Sequence, residues 1–302
     1  MTVDESGKKW YNGPKAAEEA GLRGSGTKML PRFQRGEKMK KAAFIGTGNM
    51  GSALVRAACR ALGAEKVAVS NRTSAKAEEL ARETGCQAFG SNRAAAESAE
   101  YVFLCVKPKL IRGVAEELAD LLPGRVVVSV AAGVLLNDLQ GWVGEGVPVL
   151  RIMPNTPCAI GVGMTALSGG KTAKEKHFTD VEMILSATGR VERLEEGLMD
   201  AFSAVAGCGP AFLYPYIEAL ADGGVAAGLP RDKALRYAAQ TTLGAASMVL
   251  ETGAHPGKLK DDVCSPGGST IAGVAELERH GLRAAAIDAV LAAWKKNGQL
   301  GK

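Results

Sequence analysis

Lys41-Ala42-Ala43-Phe44-Ile45-Gly46-Thr47-Gly48-Asn49-Met50-Gly51 is a short apolar run that closes on a G-x-G-x-x-G turn. Ser52–Leu62 follows, with Leu54, Val55, Ala58 and Leu62 at helical spacing, so the stretch reads as strand, glycine turn, helix. In such a turn Gly46 permits the tight bend, Gly48 lets the backbone approach a pyrophosphate, and Gly51 lets helix and strand pack closely. The helix start aims free N–H groups at the phosphates. The glycine pattern alone is weak; with a strand before it and a helix after it, it predicts dinucleotide contacts from Gly46, Thr47, Gly48, Asn49, Met50 and Gly51.

A second strand, Lys66–Ser70, ends where an NAD-dependent chain places an acid to hold the ribose 2′-hydroxyl. Here the chain reads Ser70-Asn71-Arg72-Thr73. A hydroxyl, an amide and a guanidinium can donate to a 2′-phosphate that an acid would repel, which favours NADPH and leaves NADH the weaker cofactor. The plainer alternative is that Arg72 is a solvated residue opening the next helix.

Further strands fall at Tyr101–Val106, Arg125–Val130 and Val147–Met153, separated by helical stretches such as Leu110–Leu122 and Leu135–Val143. Near-continuous apolar strands alternating with amphipathic helices predict an α/β Rossmann fold, a doubly wound and mainly parallel sheet covered on both faces. Ligands then sit beyond the carboxyl ends of the strands, which carry Val106-Lys107-Pro108, Ala131-Ala132-Gly133 and Met153-Pro154-Asn155-Thr156-Pro157. These segments are candidates to line the nicotinamide, with Lys107 read as a positioning residue.

After Gly197 the strand pattern stops. Residues 210–228 and Lys233–Leu250 are apolar almost all round, and a helix without a polar face is buried. About a hundred residues cannot wrap two such helices, so the expectation is an all-α C-terminal dimerisation domain that buries them against a second copy. The division expected is a Rossmann domain over 39–196 and a helical domain over 197–302.

Residues 1–38 carry no sustained periodicity and are expected to be a disordered extension, or the product of a start assigned too early. Asp4, Glu5, Glu18 and Glu19 fit a targeting peptide poorly. Nine Lys/Arg against five acids in residues 1–40 supply most of the net charge of +5, and no basic run with interleaved aromatics follows, so nucleic acid is not an expected partner. Six scattered cysteines without a C-x-x-C pair or a histidine at ligand spacing point away from a metal site and a disulfide framework. No apolar run reaches the ~20 residues of a membrane span. The expectation is a cytoplasmic protein acting on a small molecule.

Asp261-Asp262-Val263-Cys264-Ser265-Pro266-Gly267-Gly268-Ser269-Thr270 precedes Ile271, Val274, Ala275 and Leu277 at helical spacing. A glycine turn opening a helix can hold a carboxylate on its N–H groups. A serine or threonine before a helix is also an ordinary N-cap, and spacing alone leaves both readings open.

These residues also carry a resemblance. From Lys41 to about Lys296 the chain resembles the pyrroline-5-carboxylate reductases. The most specific segments are Cys264–Thr270 with its helix to Glu278, His255-Pro256-Gly257-Lys258-Leu259-Lys260-Asp261 and Ala221-Asp222-Gly223-Gly224-Val225. The glycine turn, Val106-Lys107-Pro108 and Pro154-Asn155-Thr156-Pro157 agree as well.

The resemblance implies reduction of a cyclic imine by NAD(P)H, with Thr270 as the hydroxyl that meets the imine nitrogen. It implies a substrate-carboxylate cradle from Gly268, Ser269 and Thr270 with Ser265 nearby, and Glu196 as an acid near the site. Cofactor contacts are implied for Ser70, Asn92, Cys105, Val106, Lys107, Pro108, Ala131, Ala132 and Gly133. It implies dimers through the helical domain, often assembled as a ring of five. Cys208 and Ser269 depart from the residues that relatives often carry. Two rival readings fit part of the sequence. A hydroxy-acid dehydrogenase would need a catalytic Lys near an Asn between Gly197 and Gly253, which is not seen; a non-enzymatic NADPH sensor would bind without turnover.

Overall fold

The computed structural model describes residues 38–299 together with the strand pairs Thr2–Val3 and Lys9–Trp10. The expectation of a disordered extension therefore falls almost wholly outside the described residues.

The opening stretch folds as read. β1 (Lys40–Ile45) enters the glycine turn and α1 (Asn49–Leu62) leaves it. β2 (Val67–Ser70), α2 (Ser74–Thr84), β3 (Gln87–Ala88), α3 (Asn92–Glu97), β4 (Ala99–Leu104), α4 (Pro108–Leu118), β5 (Val126–Ser129), α5 (Leu136–Val143) and β6 (Val149–Pro154) follow. Six parallel strands lie in the order β3-β2-β1-β4-β5-β6, the order of a doubly wound nucleotide-binding sheet. Period-two alternation explains the two-sided cover. Ala42 and Phe44 point to a core shared with α1, α2 and α6 (Glu175–Leu185), whereas Ala43 and Ile45 point to one shared with α3, α4 and α5. Phe44 and Phe103 stack across the β1/β4 register with ring centroids 4.5 Å apart.

Beyond β6 the sheet continues with β7 (Gly163–Gly169), antiparallel to β6, and β8 (Gly189–Arg193), parallel to β7. The sheet is thus eight-stranded and mostly parallel.

Every regular element described after Arg193 is helical. α7 (Met199–Phe202) runs into a π-helical turn at Ser203–Gly207, followed by α8 (Gly209–Ala226), α9 (Arg231–Thr252), α10 (Pro256–Val263), α11 (Ser269–Arg279) and α12 (Leu282–Asn297). α8 and α9 form a hairpin packed closely at Gly224, where a Cβ would sit 3.3 Å from that of Ala234. α12 folds back onto the α7 region, with Asn297 Nδ2 donating to Asp200 O at 3.1 Å.

The core of this half is slight: Ala221, Ala234 and Ala238 are its buried cluster, while Leu213, Tyr214, Tyr237, Leu291 and Trp294 stand half or more exposed. Leaving so much aromatic and aliphatic surface in water is costly, at ~25 cal/mol per Å². Such a face marks a protein–protein contact. Among the described residues no helix is long and apolar enough to cross a membrane.

Candidate active site

Of the helix starts that lack a side-chain cap and a first-turn acid, two follow the glycine turns singled out in the sequence. At the first, Gly46 takes a positive φ of 104°, and a Cβ there would lie 2.9 Å from Cys105 O. A Cβ at Gly51 would lie 2.2 Å from Gly46 O, so the third glycine is required by contact between helix and turn. Gly48 is the N-cap of α1, without a side-chain cap, and the first turn of the helix holds no acid. Its leading N–H groups are therefore free for an anion. Thr47 is buried, and its Oγ1 finds no partner among the described residues, an arrangement that fits a bound group supplying the missing hydrogen bond. The turn thus suits a dinucleotide pyrophosphate.

The second strand end is more divided. Ser70 is buried and its hydroxyl donates to Asn92 Oδ1 at 3.0 Å; Asn92 Nδ2 in turn donates to Glu117 Oε2 at 3.3 Å. Asn71 braces the turn, accepting from Thr47 N at 3.1 Å and donating to Thr73 O at 3.0 Å. Arg72 is exposed, with no acid in the segment Ser70–Thr73.

The other strand ends lie alongside. Cys105 N donates to Ile45 O at 2.8 Å, which places Cys105 against the glycine turn, and Val106 Cγ1 lies 3.1 Å from where a Gly46 Cβ would be. Lys107 is the exposed N-cap of α4, and Pro108 occupies the first helical position. One strand further along, Val130 N donates to Leu104 O at 3.3 Å, and Ala131, Ala132 and Gly133 (φ 74°) form the loop into α5. Asn155, grouped with these by the sequence, spends its amide on the protein. Nδ2 donates to Ala206 O at 3.0 Å in the π-helical turn, and Oδ1 accepts from Met164 N at 2.9 Å.

The second helix start is the Ser265–Thr270 turn. Its N-cap is Gly268, again without a side-chain cap, and Gly267 takes a φ of 67°. Ser269 and Thr270 are therefore the first two residues of α11 and do not cap it. Their N–H groups and hydroxyls face out from an acid-free first turn, with Ser265 O holding Gly268 N at 3.0 Å. The turn is exposed, and α11 packs chiefly on α12, with no hydrogen bond to the sheet half. Within the described chain α11 makes no substantial packing contact with α1.

Glu196, implied as an acid near the site, stands at the entry to the helical half. Its Oε1 accepts from Leu136 N at 2.7 Å and from Arg151 Nη1 at 3.2 Å. Arg151 is the residue the sequence reading missed, and its signal was a lone cation in the apolar strand Val149-Leu150-Arg151-Ile152-Met153. None of the three histidines stands at a strand end: His177 lies in α6, His255 caps α10 by accepting from Gly257 N at 3.1 Å, and His280 ends α11.

A doubly wound sheet with a glycine turn of this build, joined to a helical half with a second anion-ready helix start, defines an NAD(P)H-dependent oxidoreductase. Residues 196–300 match the family model described as pyrroline-5-carboxylate reductase dimerisation, and residues 41–133 match that described as NADP oxidoreductase, coenzyme F420-dependent. The chain is 42% identical to the pyrroline-5-carboxylate reductase of Arabidopsis thaliana over 263 residues, which is 86% of this chain and 95% of the relative. It superposes on the enzyme of that name from Coxiella burnetii with a TM-score of 0.82 and 33% identity, covering 87% of this chain and 99% of the other. The Plasmodium falciparum pyrroline carboxylate reductase, solved with NADP bound, gives a TM-score of 0.79 at 29% identity over 88% and 100% of the two chains. The chain belongs to the pyrroline-5-carboxylate reductase family, and its helical half is a homo-oligomerisation domain.

Proposed function

We propose that this protein reduces 1-pyrroline-5-carboxylate to L-proline, the last step of proline synthesis, with residues 39–196 holding the cofactor and 197–302 the substrate and the partner. The observation that carries the reading is the pair of uncapped, acid-free helix starts at Gly48 and Gly268, one suited to a pyrophosphate and one to a carboxylate. The reduced nicotinamide supplies a hydride to the imine carbon. The first-turn N–H groups of Ser269 and Thr270, with Ser265 beside them, hold the substrate carboxylate, and the Thr270 hydroxyl hydrogen-bonds the ring nitrogen, its oxygen accepting from the iminium N–H. A cyclic imine can take its proton from solvent before it binds, so a neutral hydroxyl beside the nitrogen suffices and no histidine is required. Most of the rate then comes from holding the reacting carbons in contact.

The exposed Ser265–Thr270 turn and the bare faces of α8, α9 and α12 support a site completed by a second copy, whose sheet half brings the nicotinamide to the turn. A ring of five dimers would follow the family habit, and mass measurement in solution tests it. Arg72 and the lack of an acid beside it support NADPH over NADH. Arg72→Ala should raise the KM for NADPH by about tenfold to a hundredfold, the worth of a charge-assisted contact, and leave that for NADH nearly unchanged. The six cysteines, all free, support a reducing cytoplasmic setting.

The deciding measurement is NADPH consumption with the five-membered imine beside a panel of hydroxy acids with NADP⁺. Turnover of the imine alone is expected; tight NADPH binding with no turnover on any substrate would sink the reading.

A further inference from the structure

Arg151 sits in mid-sheet on β6 and is 2% exposed, level with Ser129 on β5 and Ser168 on β7, both also buried. Its neighbours Leu150 and Ile152 face the α1/α6 core, so by alternation the guanidinium lies on the α5 side. Three polar side chains abreast inside an apolar sheet call for a reason, since a buried cation is tolerated only when paired. Its partner is Glu196, at the entry to the helical half.

Glu196 also serves a second group. α5 has Leu135 as its N-cap, with no side-chain cap of its own, and the Leu136 N–H is met instead by Glu196 Oε1 from sixty residues further along the chain. The other end of the same loop is held by Ser129, whose Oγ accepts from Ala131 N at 3.2 Å. Val130–Leu135 is therefore pinned at both ends from one buried polar row, one strand from the β4 end that touches the glycine turn.

We propose that Arg151 is a positioning residue for hydride transfer: through Glu196 it fixes the Val130–Leu135 loop against the nicotinamide and ties that loop to the entry of the helical half. The inference rests on the reductase reading above. Arg151 touches neither cofactor nor substrate. Its charge holds the Glu196 carboxylate in place, and the carboxylate holds the loop. The phosphates bind at a different strand end, so cofactor affinity is separable from cofactor placement.

Arg151→Met removes the charge at similar length, Arg151→Lys retains it, and Glu196→Gln keeps an acceptor for Leu136 N while unpairing Arg151. Each is assayed for NADPH Kd, for kcat and KM on the imine, and for the kinetic isotope effect with NADPH deuterated at the transferred position. Arg151→Met and Glu196→Gln should lower kcat by about tenfold to a hundredfold, the cost of a small misplacement of reacting atoms. Their isotope effect should rise as hydride transfer becomes rate-limiting, their Kd for NADPH should stay close to wild type, and Arg151→Lys should recover part of the loss. Should Arg151→Met not fold, Glu196→Gln carries the same readouts from a partly exposed position.

Wild-type kcat in both variants overturns the inference, as does a lower kcat with an unchanged isotope effect, or a loss explained by Kd alone. A wild-type protein inert toward the imine would defeat the reductase reading itself, which is a different result.

Discussion

The buried hydroxyl of Thr47 is an instructive atom in the cofactor half. A polar group left unpaired in an interior costs about 1–3 kcal/mol, so the free protein carries a penalty there that a bound dinucleotide can relieve. Thr47→Val keeps the shape and removes the hydroxyl. It should raise the melting temperature of the cofactor-free protein slightly and weaken NADPH binding by about threefold to tenfold, the worth of one neutral hydrogen bond, as read by calorimetry on the two forms. Thr270 makes the complementary case on the substrate side. Thr270→Ala should lower kcat by about tenfold to a hundredfold with little change in NADPH affinity, and Thr270→Ser should restore most of it. Loss of NADPH affinity with kcat preserved would remove Thr270 from the reaction. At this scale the sequence shows which residue types are present but not how they are spent. Asn71 and Asn155 stood among the cofactor candidates, yet their amides brace the backbone at Thr47 and Ala206, because an amide's choice of partner depends on the fold around it.

Elements were more legible than side chains. Five of the six parallel strands and the glycine turn, but not the two-residue β3, follow from apolar runs and their spacing. β7 and β8 did not, because Gly163-Met164-Thr165-Ala166-Leu167-Ser168-Gly169 is poor in β-branched residues and flanked by glycine. β7 and β8 depend on α6, which returns the chain from one to the other and is tied to the sheet by Glu175 and Glu182 on Arg193 of β8 and by Asp180. Asp180 Oδ2 accepts from Tyr101 OH at 2.5 Å, Lys176 Nζ at 2.6 Å and Lys41 Nζ at 3.0 Å. Burial alone would push this carboxyl up, but the hydrogen bonds from Lys176, Tyr101 and Lys41 hold it down at about 2. A carboxyl that is more acidic folded than unfolded adds stability above its unfolded value, and that stability drains away as pH falls through the folded value. Denaturant melts should therefore lose on the order of 2 kcal/mol between about pH 5 and pH 2 on account of this group. Asp180→Asn should be less stable at neutral pH and flatter across that window; a variant with the wild-type pH slope would show that the acid sensitivity lies elsewhere.

For the whole molecule, the all-round apolarity of α8 and α9 was readable, and their bare faces in the single chain are its physical meaning. Trp294 and Leu291 on α12 extend the same surface. Leu291→Glu should place a charge where a partner must pack, shifting the protein to smaller species in sedimentation and removing turnover while NADPH still binds to the sheet half. A hybrid experiment asks whether one site draws on two chains. Co-expression of a Gly51→Val chain, impaired in the cofactor turn, with a Thr270→Ala chain should raise turnover well above that of either variant alone. No recovery in a verified hybrid would place both turns of each site in the same subunit. Stability should also rise with protein concentration, since dissociated chains expose this surface to water.

Chain order gives that adhesive face a further significance. A ribosome delivers residues 40–193, whose sheet is covered on both faces by helices of the same stretch, ahead of the sticky helices, which emerge at the end of synthesis. A nascent chain laid out in this direction shows its greasy surface for the shortest time before release. A circular permutant that led with α8–α12 would keep every contact and lose that protection, and its yield in a translation reaction would fall into the pellet.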